Sequence, residues 1–158
     1  MGFTDEPMAA TNVPPKSGAV LMRSWIDAVL ESQLLWLAAR ILLAVVFAAS
    51  GLAKALNFAG GVGEMRAAGL EPAWAFNVAT IFVLLAGSLL LLVDRAVWLG
   101  AGALSVFLLL TIAIVHRFWS LPEPRATLSL YFALEHVSII GGLLAAAIAS
   151  HLRRQLGG

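Results

Sequence analysis

Between Ala73 and Val115 the chain carries only two charged residues, the adjacent Asp94 and Arg95. Ala73–Val93 and Ala96–Val115, on either side of that pair, are free of charge. Each matches the roughly 20 apolar residues that a helix rising about 1.5 Å per residue needs to cross a hydrocarbon layer. Leu34–Ala53 adds a third such stretch, charged only at Arg40, and Leu128–Ser150 a fourth, with Glu135 and His136 inside it. Asp94-Arg95 reads as a tight turn, and Pro122 and Pro124 stop any helix between Leu121 and Arg125. Pro72 stands where a helix begins, a position that tolerates proline. The predicted fold class is all-α: a polytopic membrane protein with a four-transmembrane-helix bundle and an N-terminal amphipathic interfacial helix.

Composition narrows the function classes. Of 158 residues, 61% are hydrophobic and 12% charged, against about 25% charged in soluble domains. The net charge of +1 is spread thinly, which leaves no basic stripe for nucleic acid. Cysteine is absent, so disulfides, thiolate ligands and thiol redox chemistry are excluded.

The organisation expected is a flexible tail over 1–19, an amphipathic interfacial helix over 20–32, a membrane domain over 33–151 and a short C-terminal tail over 152–158. The spans are placed at about 34–57, 72–93, 96–116 and 127–150. In the interfacial helix Arg23, Asp27 and Glu31 recur every four residues, while Met22, Trp25, Ile26, Val29 and Leu30 fill the other faces. Residues 1–18 lack the basic start and small-residue cleavage site of a signal peptide. The stretch Val62–Ala68, among Gly60, Gly61, Gly63 and Gly69, also reads as interfacial; its glycines follow no strand, so a phosphate loop is a poor reading. Lys16, Arg23, Arg40, Arg95, Arg153 and Arg154 fall on one side, against Lys54, Arg66, Arg117 and Arg125 on the other. That bias favours cytoplasmic termini in a bacterial-type inner membrane.

Ionisable residues inside spans are costly and mark candidate sites. Arg40, Phe47, Gly51 and Lys54, with Ala44 beside them, share one narrow face of the first span. Either the two cations snorkel to opposite headgroup layers, or the stripe faces the bundle interior and meets an acid. Glu135 is the acid deepest in any span, and its face (Tyr131, Ser138, Gly142, Ala146, Ala149) is small and polar, as close helix packing prefers. His136 points about 100° away, with Phe132, Ile140 and Leu143. The expectation is an intramembrane cluster in which Glu135 pairs with Lys54 and His116 or His136 adjoins. A haem between His116 and His136 is disfavoured by a depth difference of about 13 Å. His151 lies beyond the last span, and no close ligand set suggests a metal.

The first span, Arg40-Ile-Leu-Leu-Ala-Val-Val-Phe47-Ala-Ala-Ser-Gly51-Leu-Ala-Lys54, resembles the opening signature of the DoxX family of small four-helix membrane proteins. The resemblance continues through Ala68-Gly69-Leu70-Glu71-Pro72, His116-Arg-Phe-Trp119 and Ile140-Gly141-Gly142-Leu-Leu144, over roughly residues 37 to 149. Two places depart from the family pattern. Its second-span glutamate is here Val83 or Leu84, and Glu135-His136 stands where a Lys-Asn pair is usual. The resemblance implies a link to thiosulfate:quinone oxidoreduction and terminal oxidases, a membrane scaffold for redox or detoxification enzymes, or a chaperone or cargo receptor.

The function expected is an accessory or scaffold subunit of a membrane redox or oxidative-stress system, more a non-catalytic subunit than an enzyme. Its partners would be the bilayer together with another protein or a second copy of the chain. Two alternatives stand beside it. In a quinone-linked oxidoreductase component, Arg40, Lys54, His116, Glu135, Phe47, Trp119 and Tyr131 would surround the ring. A small transporter or proton pathway would rest on Glu135.

Overall fold

The computed structural model describes residues 18–156. Nearly all of the expected flexible tail, Lys16 included, and the last two residues lie outside the described residues. What is described is helical throughout, apart from short connections, and divides into two compact units, one up to Trp36 and one from Leu37 onward.

The first unit holds α1 (Gly18–Leu30) and the start of α2 (Gln33–Leu56). In α1, Met22, Trp25, Ile26, Val29 and Leu30 recur at the spacing of one helical face, and all five are exposed.

The second unit holds the rest of α2, then α3 (Phe58–Ala67), α4 (Ala73–Leu92), α5 (Val97–Ile114), a single 3-10 turn at Phe118–Ser120, and α6 (Arg125–Leu156). Four helices, α2, α4, α5 and α6, have the length and apolarity to cross a membrane. Two boundaries differ from expectation. The segment read as a C-terminal tail continues α6 to Leu156, and the glycine-rich connection forms α3. Asn57 starts α3 by accepting a hydrogen bond from the Gly60 N–H at 3.1 Å. Gly69, at φ 78°, ends it: the N–H groups of Gly69 and Leu70 return to the carbonyls of Arg66 and Met65.

Each span touches two others. α2 meets α4 through Ala44 and Ser88, and α6 through Leu43 and Gly142. α5 packs against both α4 and α6. Their shared core is Ala44, Phe47, Leu84, Leu91, Val97, Ala101, Leu104, Leu108 and Leu143. Apolar burial offers little driving force inside lipid, so this contact depends on close packing. The turn between α4 and α5 is tight at a cost: Asp94 and Ala96 both take left-handed backbone angles, φ 55° and 49°. Aspartate tolerates that region better than alanine does. Ala96→Gly is therefore expected to raise stability by about 1 kcal/mol, read as a higher midpoint of thermal unfolding in detergent.

Candidate functional site

Polar side chains of the second unit gather at two heights. The lower group is at the α4–α5 turn. Arg40 of α2 donates from Nη1 to the carbonyls of Leu91 (3.3 Å) and Leu92 (2.9 Å). These carbonyls belong to the last turn of α4, where intrahelical donors run out and the helix dipole favours a cation. The same nitrogen lies 3.8 Å from Oδ2 of Asp94, and Ser150 of α6 donates to Asp94 Oδ1 at 2.8 Å. One turn thereby ties α2, α4 and α6 together. Arg40 is 8% exposed, and Ala44, Phe47 and Gly51 of its stripe are also buried.

The upper group lies about 21 Å away by helical rise. Fourteen residues along α2 lead from Arg40 to Lys54, and fourteen along α4 lead from Leu91 to Asn77. Lys54 Nζ pairs with Glu64 of α3. Asn77, fully buried, donates to the Phe58 carbonyl at 3.4 Å and so holds α3 against α4. Arg66 and Glu71, 3.4 Å apart and both exposed, join the two ends of the α3–α4 connection.

Two cavities meet at the Lys54–Glu64 pair. The smaller, about 330 Å³, is lined by Ser50, Ala53, Asn57 and Gly61 besides the pair. The larger, about 640 Å³, runs between α3, α4 and α5 to the turn after α5. Phe76, Phe107, Leu110, Ile114, Val115 and Leu121 give it an apolar body; Lys54, Glu64, Thr80, Thr111 and Arg117 supply its polar groups.

The expected partnership of Glu135 with Lys54 is corrected: Lys54 takes Glu64 instead. α6 turns Ala133, Leu143, Ala146 and Ser150 inward and leaves Tyr131, Glu135, Ser138 and Gly141 exposed. The interior arc takes Leu143, at the phase of His136, together with Ala146 from the small-residue face, and Glu135 lies at its edge, exposed. Glu135 stands 15 residues from Ser150, about 22 Å, which lies within a hydrocarbon layer about 30 Å thick measured from the Asp94 turn.

His136 and His116 do come together, with ring centroids 5.1 Å apart and the planes at 76°. Phe132 lies 5.2 Å from His116. The depth difference of about 13 Å is thus also corrected. It assumed that α5 ends level with the start of α6, whereas α6 is 32 residues long against 18 and runs well past it. Nδ1 of His136 is buried with no hydrogen-bond partner among the described residues. No group of three or more metal-ligating side chains occurs among the described residues. The residues gathered in sequence around a quinone ring are dispersed: Arg40 sits at the lower turn, Phe47 in the core, Trp119, Tyr131 and Glu135 on the exterior, and only Lys54 lines the cavities.

Asp94, Glu64, Asn77 and Ser150 escaped the sequence reading. By sequence Asp94 is a turn charge and Glu64 belongs to an interfacial stretch. The available signal is electrostatic: if the stripe faces the interior, the cation at each of its ends calls for an acid there.

Compared with known proteins, residues 35–117, slightly more than half of the chain, match the family model described as DoxX. That region runs from α2 to the residue after His116 and leaves out α6. No curated protein and no solved structure matches the chain.

Proposed function

This chain belongs to the DoxX family, and from that premise we propose that it is an integral-membrane accessory or scaffold subunit associated with a redox or oxidative-stress system. The observation that carries this reading is the outward position of Glu135. A carboxyl group at hydrocarbon depth is costly unless another helix supplies a donor. Ser138, one turn along, is exposed as well, and further round the outer surface a Cβ built at Gly141 meets nothing within 4 Å, so a neighbouring helix can approach α6 closely on that side. The bundle's own cations support the same reading. Arg40 and Lys54 are engaged in joining α2 to the α4–α5 turn and to α3, as befits a rigid support.

Purification of the tagged full chain from its native membrane in mild detergent should bring down a partner in fixed stoichiometry. Glu135→Leu should release that partner while leaving the thermal unfolding of the chain itself unchanged. A clean homo-oligomer, or a partner retained equally by Glu135→Leu, would sink this reading.

A further inference from the structure

We propose that the larger cavity is a binding site for an anionic lipid, with one acyl chain in its apolar body and the acidic headgroup at Arg117. The inference stands apart from the scaffold reading, which rests on the outer face of α6.

Three observations support it. The first is size: about 640 Å³ falls within the roughly 300–1,000 Å³ typical of small-ligand pockets. The second is its wall. Phe107 and Ile114 are partly buried, whereas Phe76, Leu110 and Val115 are more than a third exposed, Leu110 at 53%, so the chamber opens on an apolar side. In a membrane that side faces acyl chains. The third is charge. Lys54 and Glu64 balance each other, but Arg117 has no acidic partner among the described residues, which leaves the lining with one excess positive charge. Arg117 follows α5 at the level where headgroups begin, and a guanidinium there binds phosphate through paired N–H donors. Thr80 and Thr111 add hydroxyls along the wall. A neutral ring such as a quinone would fit the apolar body and leave the excess charge unanswered.

Native mass spectrometry of the full chain, freed of endogenous lipid, provides the test. The probes are phosphatidylglycerol and phosphatidylcholine with identical chains, a ubiquinone analogue, and inorganic phosphate as competitor. Phosphatidylglycerol should be retained about tenfold better than phosphatidylcholine, one charge-assisted contact's worth. Arg117→Gln, at an exposed position, should abolish the preference. Ala67→Trp, which fills the chamber without changing charge, should reduce retention of both lipids. Inorganic phosphate should not displace the lipid, because the apolar body contributes most of the contact. Equal retention of the two lipids, a preference that survives Arg117→Gln, displacement by phosphate alone, or stronger retention of the quinone analogue would each overturn the proposal.

Discussion

Arg40→Met is expected to cost the membrane domain about 3–5 kcal/mol, the range for removing one partner from a buried ion pair. The loss has two parts. Asp94 would lose the Arg40 guanidinium, and the carbonyls of Leu91 and Leu92 would lose a donor where α4 ends. Asp94 is partly exposed and keeps the Ser150 hydroxyl, so the effect should sit toward the lower end of that range. Methionine roughly preserves the buried stem, so lost packing contributes little. The measurement is the free energy of unfolding in mixed micelles titrated with denaturing detergent. A second variant separates charge from fold: Arg40→Met combined with Asp94→Asn should recover a substantial part of the loss, since a neutral side chain needs no counter-charge. Asparagine suits this site because it tolerates the left-handed backbone of residue 94. Strict additivity of the two single losses would show that the pair does not couple α2 to the turn.

Gly100→Leu should be comparably damaging, at about 3 kcal/mol or more. A Cβ at Gly100 would lie 2.9 Å from Leu90 Cβ and 3.0 Å from the carbonyl oxygen of Gly87. Backbone cannot rotate away as a side-chain tip can, so α5 as a whole would have to move off α4. Overpacking a well-filled core costs about 1–3 kcal/mol even for added methylenes, and here the first added carbon already collides. On the opposite side of the same contact, a Cβ at Gly87 would come 2.7 Å from Leu104 Cγ. Gly102 is the internal control: nothing lies within 4 Å of its built Cβ, so Gly102→Ala should be neutral or slightly stabilising by helix propensity. Equal losses at Gly100 and Gly102 would mean that close approach of α4 and α5 is not what these glycines serve.

How far the site was legible varies by element. The stripe Arg40, Phe47, Gly51, Lys54 could be drawn from spacing alone, because a helix fixes which residues share a face. The partners of its two cations could not. Asp94 and Glu64 are brought to α2 by a tight turn and by a short helix folding back, and neither movement leaves a periodic signal. On α6 the spacing presents two faces about 100° apart, one with Glu135 and one with His136. Small residues favoured the first; the structure buries Leu143 from the second and Ala146 from the first, and leaves Glu135 exposed between that arc and the outside.

By itself the sequence determined that this chain is a four-span helical membrane protein of the DoxX family. Uninterrupted apolar length, the charged pair at 94–95 and the proline breaks are local properties that no tertiary contact could reverse. Only the tertiary structure decided which charge meets which, which side of α6 is left for lipid or a partner, and where a chamber opens beside Arg117. Those outcomes depend on the rotation of each helix about its own axis and on the relative heights of their ends, and packing between helices sets both.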